Sequence, residues 1–266
     1  MVLLLGIGVM VYAGAQIAET QHIYQEGSTA YNDLSIQVKK SAPINFGESP
    51  TQQSDTDTEI SHEIKGTSQS REMQIYIPDF DIDFDMLKAI NKDTAAWLYS
   101  PGTVIDYPVM EADDYNYYLY HLPDGTRNAN GSLFIDYNCA SDFSDRLTVI
   151  YGHHMKTGDM MFGSLKGYKN QEYYKEHPFM YLYTEKENYR IDILYGFVIS
   201  AGQWREKAFM YEENLGAFLD YAIRNTTFKS EAKYEEGDKI VALSTCSYEF
   251  DDARYVVLGV LKTNEN

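Results

Sequence analysis

Positive charge is scarce in this 266-residue sequence. Lys and Arg number 22 against 40 Asp and Glu, a formal net charge of −18, and no Lys or Arg precedes Lys39. Binding to nucleic acid or to anionic lipid by charge requires clustered Lys and Arg, so the balance argues against both. There are two cysteines and seven prolines. Two cysteines build neither a disulfide-dense scaffold nor a four-Cys zinc site, and so few prolines leave no Pro-rich linker. No Gly-rich phosphate loop, HExxH helix or internal repeat is present. Tyrosine is plentiful at 24 residues, and the 44% hydrophobic, 23% charged composition is that of a globular chain inclined toward strands.

The first eighteen residues, MVLLLGIGVMVYAGAQIA, contain no charge. As a helix they would extend about 27 Å, enough to cross a bilayer core. An uncleaved anchor over 1–18 is expected. A cleaved secretory signal fits less well, because there is no basic leading region and no clean cleavage site; a buried core helix is a third option. Residues 19–71 read as a juxtamembrane stalk followed by a tether. Within them, 47–71 (GESPTQQSDTDTEISHEIKGTSQSR) has only two large apolar residues, too few to offset the entropy of ordering it. A folded domain is expected over 72–266, outside the membrane.

In that domain, Phe84, Leu87 and Ile90 recur at helical spacing within 83–91. Short β segments bounded by Gly, Pro and Asp follow at 103–110, 132–137, 147–152, 179–184 and 189–200. A helix over 214–225 would carry Leu215, Phe218, Leu219, Ala222 and Ile223 on one face. Two last strands are expected at 239–245 and 254–262. The fold class is mainly β: a closed or nearly closed barrel of about eight strands with a few helices, plus the N-terminal membrane helix.

Cys246 ends a buried-looking strand in KIVALSTCSYEF, a rigid place to mount a nucleophile. A free thiol needs a nearby imidazole or cation to become useful. Of His22, His62, His121, His153, His154 and His177, only the 153–154 pair lies at a strand end, in LTVIYGHHM. Arg254 opens the next strand, where a hairpin would return it toward Cys246 to bind a developing oxyanion. Each feature has an ordinary alternative. Cys246 could be a buried structural residue or pair with Cys139, the histidines could form a polar turn, and Arg254 could make surface ion pairs with Glu249, Asp251 or Asp252.

YGHHM with the following MFGSL, then LSTC, then an arginine opening a last strand, together resemble the sortase family of Gram-positive transpeptidases. WLYSPGTVIDYPVM, DYNYYLYH, GSLFIDY and the helix QEYYKEHPF are similar to stretches of class B sortases. The likeness covers most of 75–262. It is the order of the motifs, more than any one of them, that is specific.

The resemblance implies a sortase-like barrel with His153 as the catalytic histidine, Cys246 as the nucleophile and Arg254 as the oxyanion-side arginine. Ser244 and Thr245 are candidates for a supporting role. Ala242 departs from the family's TLxTC pattern, which has Thr there, and puts one supporting hydrogen bond in doubt. The implied reaction cleaves a C-terminal sorting signal of secreted proteins through a thioacyl enzyme. It then joins them to an amine of a cell-wall peptide, with no metal or cofactor. Other readings are a pilin-polymerising sortase, a hydrolytic Cys–His peptidase, and a non-catalytic binding module on a membrane leash.

Overall fold

The structure is a computed structural model that describes residues 2–41, 78, 80–155, 159–206 and 215–263, with backbone alone at 2–11 and 41. Eight strands close into a barrel: β3 (Thr94–Tyr99), β4 (Asp106–Met110), β5 (Leu133–Ile135), β6 (Leu147–Tyr151), β7 (Phe179–Tyr183), β8 (Asn188–Ser200), β9 (Lys239–Cys246) and β10 (Ala253–Thr263). They run in the order β10-β8-β7-β3-β4-β5-β6-β9, with β9 pairing back onto β10. The β4–β5 and β6–β9 pairs are parallel and the rest are antiparallel. The expected eight-stranded barrel is therefore present, and closure leaves its strands no free edge.

Short helices decorate the barrel. The first, α2 (Phe84–Ile90), begins where the Asp83 carboxylate accepts the Met86 N–H at 3.0 Å. Phe84 and Leu87 are its buried residues, while Ile90 faces outward. The helix expected at QEYYKEHPF is α3 (Gln171–Glu176), started by the Asn170 side chain, which accepts the Glu172 N–H at 2.8 Å.

Alternation divides each strand between two apolar layers. Leu98, Val109, Ile135, Ile150, Leu182, Ile193, Leu243 and Val257 fill the interior. On the outer side, Val149, Ala242, Val256 and Leu258 pack with Trp204 of α4 (Ala201–Arg205) and with Leu215, Phe218 and Ala222 of α5 (Leu215–Asn225). The docked stripe of α5 is narrower than the sequence suggests: Ile223 is 56% exposed.

The largest departure from expectation is at the N-terminus. One helix, α1, spans Val2–Val38 and leads into β1 (Lys39–Ser41), which pairs with β2 (Phe80–Ile82). The second half of α1, expected as a juxtamembrane stalk ahead of the folded domain, is docked on the barrel. The Tyr31 hydroxyl donates to the Gly131 carbonyl at 2.5 Å. The side-chain amides of Asn128 and Asn130 donate to the Ile23 and Tyr24 carbonyls at 3.0 and 3.2 Å. A Cβ at Gly27 would lie 2.3 Å from the Asn130 amide nitrogen, so only glycine lets the helix approach this closely. Val38 is buried among Ile82, Leu87 and Trp97.

Asp106 holds the join. One of its carboxylate oxygens accepts from Ser35 Oγ at 2.8 Å and Lys39 Nζ at 2.5 Å, and the other accepts from Trp97 Nε1 at 2.8 Å. Each large apolar side chain buried here contributes about 1.5–3 kcal/mol. Ser35 and Lys39 face Asp106 of β4 rather than water, and hydrophobic period does not register such contacts. Among the described residues no helix is long and apolar enough to cross a membrane. Residues 47–71 and the side chains of 1–11, on which the tether and most of the anchor were expected, lie outside the described residues.

Candidate active site

Register places the candidate residues. β9 ends at Cys246 and is flanked by β6, parallel, and β10, antiparallel. Arg254 is the direct partner of Cys246 on β10. On the other side Tyr151 is level with Ser244 at the last pair of the β6 ladder, and His153 follows two residues beyond that end. Neighbouring strands lie about 4.8 Å apart, and residues at one level project from the same face. Thiol and guanidinium thus project side by side from one face, His153 follows the end of the strand on the other side of β9, and all three residues are half-buried. Below them on this face follow Tyr151, Ser244 and Val256, then Val149, Ala242 and Leu258 of the outer apolar layer.

The Cys246–Arg254 pair is the closer kind. Ser247 N–H donates to the Ala253 carbonyl at 2.9 Å, so the pair one step back exchanges no ladder bonds. Such pairs have Cα atoms about 4.5 Å apart and side chains in near contact. Arg254 Nη1 donates to the Ala253 carbonyl at 3.0 Å, and among the described residues no carboxylate forms an ion pair with the guanidinium. Glu249, a candidate partner from sequence, is taken by Lys169 and by the Ser247 hydroxyl. The head group therefore keeps donors free for an incoming anion.

The imidazole of His153 is anchored at Nε2, 2.7 Å from the Leu119 carbonyl. A carbonyl only accepts, so Nε2 carries the proton and Nδ1 is the free position of the neutral ring. Burial lowers the pKa of His153, and the Leu119 contact partly offsets that shift. Gly152 fixes the approach to the histidine: a Cβ there would lie 2.4 Å from Leu133 Cδ2. Its carbonyl accepts the Thr245 hydroxyl at 2.8 Å, tying the end of β6 to β9. Ser244 differs, because its buried hydroxyl has no hydrogen-bond partner among the described residues. Ala242 is fully buried in an apolar layer.

The second histidine was singled out only as half of a doublet, yet it touches the nucleophile's own backbone. His154 Nδ1 is 2.8 Å from the Cys246 carbonyl, and its ring meets Tyr248 edge-on at 5.0 Å. Other histidines are engaged elsewhere. His121 stacks on Tyr117 at 4.1 Å, His177 contacts the Pro101 carbonyl at 3.0 Å, and His22 faces Glu26 at 3.4 Å. His62 lies outside the described residues. The Leu119 carbonyl was not foreseeable, since a main-chain acceptor has no residue-type signature. Among the described residues no three His, Cys, Asp or Glu side chains converge as metal ligands.

Cys139 and Cys246 are both free, so the disulfide between them that the sequence left open is not formed. Cys139 packs with its Sγ 3.7 Å from the Leu147 carbonyl, and burial pushes its thiol pKa up to about 11. A thiol so protonated at neutral pH is a poor nucleophile. Cys139→Ala is expected to keep kcat/KM for peptide cleavage within about two-fold, since kinetics change little when no group at the reacting centre is altered. Loss of activity comparable to removing Cys246 would place Cys139 in the site.

No family model matches the chain. It is 32% identical over 180 residues to Sortase B of Listeria monocytogenes, covering 66% of this chain and 73% of that relative. Among solved structures, Clostridium perfringens sortase B superposes with a TM-score of 0.62 at 29% identity over 68% of this chain and 100% of its own. The Staphylococcus aureus sortase B–substrate complex gives 0.62 at 25% identity over 68% and 85%. A sortase B complexed with triglycine gives 0.61 at 26% identity over 68% and 86%.

Proposed function

The chain belongs to the class B sortases and is a cysteine transpeptidase, and from that premise we propose that Cys246, His153 and Arg254 carry the reaction. The observation that supports this most is the direct pairing of Cys246 with Arg254, with His153 two residues beyond the end of the adjoining β6. In the first half-reaction the Cys246 thiol passes its proton to the free Nδ1 of His153, the thiolate attacks the backbone carbonyl carbon of the scissile peptide, and the electron pair moves to oxygen. Arg254 donates to that oxyanion through N–H groups that no carboxylate among the described residues engages. His153 gives a proton to the departing amine, and a thioester remains on Cys246. In the second half-reaction an acceptor amine attacks the thioester, His153 takes its proton, and the thiolate is released with a new amide bond. Thr245 supports the geometry through its bond to Gly152, whereas Ser244 has no such contact.

The substrate class proposed is a C-terminal sorting signal of a secreted protein, and the acceptor is an amine of a cell-wall peptide. Complexes of related proteins with a substrate and with triglycine, a short peptide bearing a free amine, support both halves. We also propose that the uncharged residues 1–18 anchor the chain in the membrane as a single pass, with the catalytic domain outside the cell. In this arrangement residues 23–41 belong to the catalytic unit, and the polar segment beyond them is a tether.

The test is to incubate the full chain in detergent with a library of signal-like peptides, with and without triglycine, and to read the products by mass spectrometry. Expected are a thioacyl adduct on Cys246 and an amide product formed only when amine is present. Peptide release to water at the same rate in both conditions, with no amide product, would mark a hydrolytic peptidase instead.

A further inference from the structure

Chemistry at Cys246 requires the sulfur to be held in place, yet the ladder that would hold it stops short. β6 pairs with β9 only as far as Tyr151 and Ser244, whereas β9 continues two residues further to the nucleophile. Because Cys246 and Arg254 exchange no ladder bonds, the Cys246 carbonyl points away from β10, toward the side β6 has left. A strand-end carbonyl without its ladder partner needs another donor or water. His154 supplies that donor, its Nδ1 2.8 Å from the Cys246 carbonyl oxygen. The ring is itself fixed: residue 154 bridges to Met161, which is almost fully buried, and Tyr248 meets the imidazole edge-on.

From this juxtaposition we infer that His154 is a positioning residue for the transpeptidase reaction, holding the nucleophile's peptide group through an Nδ1–H···O=C bond to Cys246. The inference rests on the assignment of Cys246 as nucleophile. It splits the doublet into two roles. One imidazole, His153, moves protons, while the next clamps the main chain that carries the sulfur. With the Thr245–Gly152 bond, the clamp cross-links the ends of β6 and β9 on both sides of the His153 backbone. It thereby fixes the separation of thiol and imidazole to the fraction of an ångström that proton transfer demands. It also orients the peptide leading to Ser247, whose N–H is engaged by the Ala253 carbonyl.

The test compares His154→Ala with His154→Asn in the full chain, because an asparagine amide nitrogen can stand close to where Nδ1 stands and donate the same bond. For His154→Ala a fall in kcat of about 10- to 100-fold is expected, with KM within about two-fold, as a misplaced reacting group costs turnover rather than binding. His154→Asn should recover kcat to within about three-fold of the parent, with the melting temperatures of the two variants alike. A wild-type kcat for His154→Ala overturns the inference. Equal losses in both variants overturn it too, because restoring the donor then restores nothing. Cys246→Ala run alongside separates the two levels: activity in that variant would remove the nucleophile assignment itself, whereas its inactivity beside a fully active His154→Ala would remove only the clamp.

Discussion

Cys246→Ala is expected to abolish both cleavage of a sorting-signal peptide and its transfer to an amine, lowering turnover by at least about 10³-fold. Neither the imidazole nor the guanidinium can form the thioester, and the proposed general acid and oxyanion donors have nothing to act on without it. The thioacyl adduct should vanish from the intact-mass spectrum at the same time. The fold should survive. Cys246 is half-buried at a strand end, and shortening it by one sulfur atom leaves at most a small, solvent-reachable gap. A melting temperature near that of the parent together with lost chemistry is the expected pairing. Residual transfer at more than a few per cent in a sample free of wild-type protein would exclude Cys246 as the nucleophile.

Arg254→Lys is expected to lower kcat/KM by about 10²-fold or more, although the charge is kept. Removing one preorganised oxyanion donor typically costs 10²–10³ in rate, and a lysine offers a point charge on a flexible stem in place of a planar fork. Arg254 has an ordinary structural role to lose only if it neutralises a carboxylate, and among the described residues it pairs with none. Thermal stability should accordingly stay close to that of the parent while turnover falls. Unchanged turnover would reduce Arg254 to a strand residue that caps its neighbour's carbonyl.

Much of the barrel could be read from the sequence because its strands are dense in β-branched and aromatic residues between turn formers, as in 189–200 and 254–262. β3 escaped for the opposite reason. Its sequence, TAAWLY, begins with a threonine and two alanines, residues 94–96, and alanine has little preference for strands, so only tertiary pairing with β4 and β7 defines it. The docking of α1 escaped because its contacts to the barrel are made largely by polar groups, with Tyr31, Ser35 and Lys39 bonded to partners about 70 to 100 residues away. Hydrophobic period carries no trace of such bonds.

At the proposed site, the order of His153, Cys246 and Arg254 in their motifs is what the sequence offers, and strand register explains how Cys246 and Arg254 become direct partners. The contacts that tune them were not legible there. The Leu119 carbonyl against His153 and the Cys246 carbonyl against His154 are main-chain groups. Which of two adjacent imidazoles meets which of these carbonyls depends on the path of the chain beyond the β6 ladder, and only the folded chain decides that.

The seating of α1 determines where the protein can be cut to make it soluble. A truncation at the polar segment, near residue 72, would strip Asp106 of its Ser35 and Lys39 donors and uncover the surface that Tyr31 and Val38 occupy. It would also leave the amides of Asn128 and Asn130 without their acceptors, at the base of the loop whose Leu119 carbonyl steadies His153. A cut ahead of Ile23 keeps all of these contacts, which makes the N-terminal helix a component of the enzyme to be purified with it.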